Sequence, residues 1–557
     1  MRSRLLRTAR CLGRDYTKPS AQALRCSGAR WQSTSGREWS TPLAKTLAEA
    51  ISVTGPLPVA AYMRQCLTSD LGGYYTSHNE GRDVFGQKGD FITSPEISQV
   101  FGELVGLWVV AEWMAQGRKS EGVYLMEVGP GRGTLMDDML RTIRNFPALA
   151  SSLEAVYLVE ASPSLREAQH KLLCGDKPIE EIDIGHQSYS KYADNLKVIW
   201  TEDVRFVARD PAKTPFIIAH EFFDALPIHI FQSVPPSQPS APSEITTPTG
   251  KHTLNETARL PRASQTNSWR ELLVSPTPPY SNHASLGTPK SQQSSGPPPE
   301  FELTVAKAST PHSLYLPETS QRYKALKNSD HAVIEISPES QAYAADFAVR
   351  IGGGTAPTPT PSLAATSSST TTTTTQARPV SSSKPEPVHK PTPSGAALIL
   401  DYGPPSTIPT NSLRGIKQHR MVSPLSEPGL VDLSADVDFM SLAETAINAS
   451  EGVEVHGPVE QALFLNAMGI KERAAQLVKR ALDRERGASL EKSEGERRKE
   501  DLTETVKRIE TGWKRLVDRG PQGMGKLYQV MAIVPHVPPK EGEKRRRPVG
   551  FGGDIVV

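Results

Sequence analysis

Cysteine is scarce, with four residues in a chain of 557, at Cys11, Cys26, Cys66 and Cys174. None stands in a C-x-x-C or Cys/His spacing, so neither a disulfide framework nor a zinc site is expected. No run approaches 18 consecutive apolar residues, which excludes a helical membrane span. A strong charge of one sign is missing as well: the formal net charge is +2. Eight of the basic residues and only one acid fall in the first 31 positions, so the body that follows is mildly acidic. Such a body gives no support for binding nucleic acid. What the chain has in plenty is proline, 47 residues, together with Ser/Thr-rich tracts. Much of the length is therefore not core, although the length alone would allow three or four domains.

Residues 1–35 read as a mitochondrial presequence that addresses the matrix. Arg2, Arg4, Arg7, Arg10, Arg14, Arg25 and Arg30 alternate with small and apolar residues, and Asp15 is the sole acid. A disordered basic arm is the alternative. Cys11 and Cys26 would leave with the presequence.

The chain is organised around Leu125-Met126-Glu127-Val128-Gly129-Pro130-Gly131-Arg132-Gly133-Thr134-Leu135. An apolar strand ends in an acid, turns through three glycines and enters a helix whose Leu135, Met136, Met139, Leu140 and Ile143 share one face. Glycines allow a ligand close to the backbone, and a helix start offers free N–H groups. A dinucleotide fingerprint sets its third glycine five residues after the first. Here Gly129, Gly131 and Gly133 are one residue tighter, and Glu127 precedes them by two. This E-x-G-x-G-x-G pattern resembles motif I of class I S-adenosylmethionine (SAM) methyltransferases, whose ligand carries an ammonium for the acid rather than a pyrophosphate. A nicotinamide or flavin site and a purely structural turn are the other readings.

Residues 40–120 read as a helical N-terminal segment. Leu43, Leu47 and Ile51, then Val59, Tyr62 and Met63, suit two short amphipathic helices. Thr93-x-x-Glu96 has the form of a capping box opening a long helix striped by Ile97, Val100, Phe101, Leu104, Val105 and Trp108. Core packing explains that stripe. The Gly73-Tyr74-Tyr75 segment and the Gly89-Asp90-Phe91 corner are less easily explained by packing, and a lid over a ligand is the functional reading.

Downstream, Ala155 to Val159 is a short strand ending at Glu160, the place where a doubly wound sheet offers an acid to ribose hydroxyls. A third strand, Leu196 to Trp200, leads to Glu202 and Asp203, and Asp203 is the candidate acceptor from an adenine amino group. A solvated acidic turn is the competing explanation. The fourth strand, Pro215 to Ala219, ends abruptly in His220-Glu221-Phe222-Phe223-Asp224. Ligands of open α/β sheets lie beyond the carboxyl ends of the strands, so Glu221 and Asp224 should face a reactive centre. An acid pair that only complements a helix dipole is the bland alternative.

Together these stretches resemble the MidA family of mitochondrial SAM-dependent protein arginine methyltransferases. The resemblance rests on Gly89-Asp90-Phe91-Ile92-Thr93-Ser94-Pro95-Glu96, Glu127-Val128-Gly129-Pro130-Gly131-Arg132-Gly133 and Glu221-Phe222-Phe223-Asp224-Ala225-Leu226-Pro227. It continues through Leu400-Asp401-Tyr402-Gly403, Ser412-Leu413-Arg414 and Asp432-Leu433-Ser434-Ala435-Asp436. His220 departs from the family, where asparagine is expected, and an imidazole can still donate or accept a hydrogen bond.

The resemblance implies an α/β fold: a class I SAM-methyltransferase (Rossmann-like) doubly wound sheet with a helical N-terminal segment and disordered insertions. It implies one catalytic domain over 121–535, interrupted at about 234–300 and 353–394, and a C-terminal tail at 536–557. Composition gives both insertions too little apolar surface to offset ordering, apart from one strand candidate at Trp269 to Val274. Residues 473–517 read as one or two charged helices. The implied activity is type II arginine methylation, giving symmetric dimethylarginine on a core subunit of respiratory complex I. Glu127 and Gly129, Gly131 and Gly133 would hold SAM, and Glu160 and Asp203 its nucleoside. Glu221, Asp224 and His220 would serve the acceptor. No metal is needed, because a sulfonium is already activated. A non-catalytic SAM-binding assembly chaperone and a nicotinamide-dependent oxidoreductase remain as alternatives.

Overall fold

The computed structural model describes residues 37–76, 92–236, 243–247, 250–254, 266–278, 299–354, 387–488, 495–538 and 546–552. The chain divides into residues 1–38, of which only 37 and 38 are described, and residues 39–557, to which everything below belongs. The presequence stretch and the Gly89-Asp90-Phe91 corner lie outside the described residues.

Nine strands form the main sheet. In chain order they are β1 (Val123–Val128), β2 (Leu153–Val159), β3 (Glu180–Ile182), β4 (Gly185–Tyr189), β5 (Lys197–Thr201), β6 (Thr214–His220), β7 (Ala396–Tyr402), β8 (Val453–Glu460) and β9 (Tyr528–Pro535). Their spatial order is β8-β9-β7-β6-β1-β2-β5-β4-β3. The five central strands β7-β6-β1-β2-β5 run parallel, and β9 lies antiparallel between β7 and β8. Every residue of β1 and of β6 is buried. Continuous apolar strands of this kind need cover on both faces.

That cover is supplied by two layers, and the pleat divides the side chains between them. Leu125, Ile218 and Leu398 pack with Trp108, Met139 and Leu173 on one face. Met126, Ile217 and Ile399 pack with Phe347 and Leu442 on the other. This is the doubly wound α/β architecture expected. Two helices, Ile470–Ala488 and Gly495–Val517, account for the charged stretch.

A second sheet stands beside the first. It orders Leu57–Pro58, Ser268–Pro276, His229–Val234 and Val333–Ile336, with Phe301–Val305 also paired to Ser268–Pro276, all antiparallel. Helices Pro42–Thr54 and Val59–Thr68 pack on it through Leu47, Tyr62 and Met63, against Val274 and Phe301. Leu433, from the small sheet of Arg414–Lys417, Arg420–Val422 and Asp432–Ser434, joins the same core.

Three expectations need correction. The strand within 234–300 is longer than Trp269 to Val274, and Trp269, Leu272 and Val274 are buried, so that stretch does supply core. Average composition hid a nine-residue strand inside a polar tract. Similarly, Lys390, within 353–394, is buried with its ammonium donating to the carbonyls of Lys213, Arg350 and Ser394. Residues 355–386 lie outside the described residues. Finally, Thr93 makes no side-chain cap: a short helix, Ser94–Ile97, breaks at Ser98, which caps Gln99–Ala115 through the amide of Val100. The C-terminal stretch docks at its described end, where Arg546 pairs with buried Glu112 and Trp108 donates to the carbonyl of Val549.

Candidate active site

From β1 the chain proceeds to β2 and β5 in one direction, then restarts at β6 and moves to β7 in the other. The reversal leaves a crevice between the ends of β1 and β6. A cavity of about 290 Å³ opens there, bounded by Glu127, Gly129, Gly131, Glu160, His220 and Glu221. Leu67, Thr68, Tyr75 and Pro95, all from the N-terminal segment, close its far side.

Glu127 is 2% exposed, and its Oε2 finds no hydrogen-bond partner among the described residues. Burial, then the charge of Glu160, pushes its carboxyl up to about 8. A buried, unsatisfied carboxyl is costly unless a cation meets it. The glycine turn is equally specific. Gly129 has φ +65°, and a Cβ on it would lie 2.7 Å from the ring of Phe222. Gly131 (φ +53°) and Gly133 (φ +82°) also take left-handed conformations that side chains resist. An amino-acid ammonium beside Glu127, with its backbone against this turn, suits these residues.

Glu160 follows β2 directly. Burial raises its carboxyl to about 7, while the Ser162 amide at 2.8 Å and Gln169 Nε2 at 3.3 Å pull the other way. Gln169 was not anticipated. Its amide also donates to the Gly131 carbonyl at 2.6 Å and accepts from Trp200 Nε1 at 3.0 Å. It thereby ties the glycine turn to Glu160 and β5. The only sequence signal was a polar residue on the inner face of the helix Pro163–Cys174. Asp203 does not line the cavity. Its Oδ1 accepts from the Arg205 amide and Nε and its Oδ2 from Arg205 Nη2, which caps a short 3-10 turn. Glu202 lines the cavity instead.

His220, Glu221 and Asp224 do come together at the end of β6. His220 is buried against Phe101, ring centroids 5.0 Å apart, with Nε2 3.2 Å from Glu221 Oε1. Glu221 has φ +49°, an uncommon conformation for a residue with a side chain. Its amide donates to Leu400 O at 2.9 Å, and its Oε1 accepts from the Ser94 amide at 3.4 Å. The turn that follows is held by Asp401, whose Oδ2 accepts from the amides of Phe222 (3.1 Å), Phe223 (2.9 Å) and Asp224 (3.4 Å). Burial and the charge of Asp224 push the Asp401 carboxyl well above the carboxylate range, against the pull of these donors. Asp224 receives the Tyr402 hydroxyl on Oδ2, while Oδ1 has no partner among the described residues. Burial carries its carboxyl up to about 6, the Tyr402 bond opposing.

Beyond Glu221 lies a second cavity of about 630 Å³, which shares Glu221 and Tyr75 with the first. Arg414 stands in its wall, 4.6 Å over the Tyr402 ring and 2.6 Å from Asp436 Oδ1.

A family model described as "Putative S-adenosyl-L-methionine-dependent methyltransferase" matches residues 104–459. The chain is 31% identical over 499 residues to "Protein arginine methyltransferase NDUFAF7, mitochondrial" of Rattus norvegicus, covering 89% of this chain and 85% of that one. To the Drosophila melanogaster homologue it is 32% identical over 500 residues, with the same coverage. In structure it is similar to a COG1565 superfamily member from Burkholderia thailandensis bound to S-adenosyl-homocysteine (TM-score 0.53, 19% identity, 88% of this chain and 91% of that chain). With the unpaired Glu127 and the tight glycine turn at the sheet's switch point, these matches place the chain in the MidA family of SAM-dependent methyltransferases.

Proposed function

We propose that this protein is a mitochondrial protein arginine methyltransferase that uses SAM, acts in the matrix, and forms symmetric dimethylarginine on a core subunit of complex I. The relatives' names support arginine as acceptor and the mitochondrion as location. The observation that carries the reading is Glu221, a carboxylate in a left-handed conformation at the junction of the two cavities.

When bound, SAM supplies a methyl group made electrophilic by a sulfonium. The chain's own residues supply the rest. Glu127 and the Gly129, Gly131 and Gly133 turn hold the amino-acid end, and Glu160, steadied by Gln169, accepts from ribose hydroxyls. Glu202 takes the nucleoside role first assigned to Asp203. An arginine guanidinium has a pKa above 12, and its delocalised lone pairs make it a poor nucleophile. Glu221 and Asp224 localise the cationic charge by charge-assisted hydrogen bonds and fix the orientation of the attacking nitrogen. Phe222, Tyr343 and Leu226 keep water from the site. His220 packs beside Glu221, with Nε2 3.2 Å from Oε1.

The test is Glu221→Gln. SAM affinity should stay near wild type, while transfer of labelled methyl to complex I protein falls by about two orders of magnitude. Full transfer by that variant would remove Glu221 from the acceptor site. Mass spectrometry of complex I arginines with and without the protein decides the substrate. Binding of SAM with no methylated arginine anywhere would instead indicate a non-catalytic assembly chaperone.

A further inference from the structure

None of the residues assigned to the cofactor lines the second cavity, yet its chemistry is specific. Four carboxylates line it, from Glu221, Asp224, Asp432 and Asp436, against two basic side chains, Arg414 and Lys526. Arg414 shows what these walls accept. Its guanidinium lies over the Tyr402 ring and pairs with Asp436, while the edge of Tyr528 meets Tyr402 at a centroid distance of 5.1 Å. One guanidinium does not satisfy the site. Asp224 is 6% exposed, lines the cavity, and keeps Oδ1 without a partner among the described residues. Such an atom in a low-dielectric wall attracts a second cationic donor. At the rim stand Met421 (57% exposed) and Leu527 (59% exposed), with Pro404 and Pro405 beside them.

We propose that this cavity is the port by which a peptide-borne arginine reaches Glu221, with Asp224 Oδ1 as its docking acceptor and Arg414 as a fixed counter-cation. The proposal rests on the arginine methyltransferase reading and adds the path and the recognition to it. A planar guanidinium suits a wall of tyrosines and carboxylates better than an ammonium does. The apolar rim favours an arginine flanked by apolar residues over the free amino acid. Because Tyr75 donates to Asp432 Oδ1 at 2.9 Å and also lines the cofactor cavity, port and cofactor site share one wall.

The test uses the full-length protein saturated with S-adenosylhomocysteine. The probes are a blocked Leu-Arg-Leu tripeptide, its Leu-Lys-Leu counterpart and free L-arginine, titrated by calorimetry or NMR. The arginine tripeptide should bind at least about tenfold tighter than either control. Asp224→Asn should weaken it by about tenfold or more while S-adenosylhomocysteine affinity stays within about twofold of wild type. Leu527→Trp, an exposed position, should also weaken it, and this keeps the test decisive if Asp224→Asn does not fold. Equal binding of the arginine and lysine peptides, no arginine-dependent binding, or indifference to both variants overturns the port. Methyl transfer to mitochondrial protein is measured in parallel. No transfer by wild type sinks the enzyme reading, whereas transfer untouched by both variants sinks the port and the acceptor role of Asp224 while leaving the enzyme reading standing.

Discussion

Glu127 yields the sharpest quantitative expectation. Without a ligand its carboxyl lies at about 8, against an ordinary 4.5, because it is buried, near Glu160 and unpaired. That displacement corresponds to roughly 5 kcal/mol against the ionised form. At pH 7 the side chain is then roughly nine-tenths protonated. A ligand that sets an ammonium beside it favours the carboxylate and must expel that proton. Calorimetric titration of S-adenosylhomocysteine at pH 7, in buffers of different ionisation enthalpy, should show release approaching one proton from this residue. Glu127→Gln should remove that share and weaken binding by about ten- to a hundredfold, the worth of a hydrogen bond to a charged group. The stability of the unliganded protein should follow the same logic. A raised carboxyl favours folding fully below its ordinary value, and the contribution is lost as pH climbs from 4.5 to about 8. In Glu127→Gln the fall over that window should be shallower. Buffer-independent heats for wild type, or unaltered binding by the amide variant, would refute the assignment of Glu127 to a cationic ligand.

Gly131→Val should abolish SAM binding and leave a folded domain, because a β-branched residue resists φ +53° and its side chain would enter the cavity; calorimetry and circular dichroism read the two parts. Asp401→Ala should destabilise the protein by several kcal/mol in denaturant titration, since the amides of Phe222 and Phe223 lose their acceptor at about 1–3 kcal/mol each, and Asp401→Asn should recover part of the loss. Trp269→Ala should cost about 3–5 kcal/mol in the same assay, which a stretch without core would not show.

The proposed cofactor half of the site stands out in the sequence because its chemistry is local. Glu127, three glycines and a helix start lie within eight residues, so their spacing is their geometry. The parallel strands were legible for a similar reason, as apolar runs that end in acids. Asp203 misled because two neighbouring acids follow β5, and only the turn geometry decides that Asp203 folds back on Arg205 while Glu202 faces the cavity. Gln169 and Asp401 act across about 40 and 180 residues of chain, through backbone groups whose direction no spacing reveals. Asp401 and Arg414 were quoted within family signatures, yet their roles in holding a turn and charging a cavity emerge only once β7 lies against β6. The strand Ser268–Pro276 was underestimated because its partners, Leu57–Pro58, His229–Val234 and Phe301–Val305, come from separate stretches before and after it in sequence.

The placement of β9 between β7 and β8 bears on how the molecule is made. The edge of β7 that β9 occupies stays bare until residues 528–535 arrive, more than a hundred residues after β7 has formed. The helix Gln99–Ala115 waits longer still, because the arginine that neutralises Glu112 lies 434 residues away. Loop closure over such spans must be met before its contacts repay it, and parallel pairing compounds the delay. A growing chain would therefore expose the apolar flank of β7 for much of its synthesis, and unpaired strand edges invite association with other chains. Refolding from denaturant should be slow and concentration-sensitive, and a chaperone that shields one strand edge would accelerate the yield more than the rate.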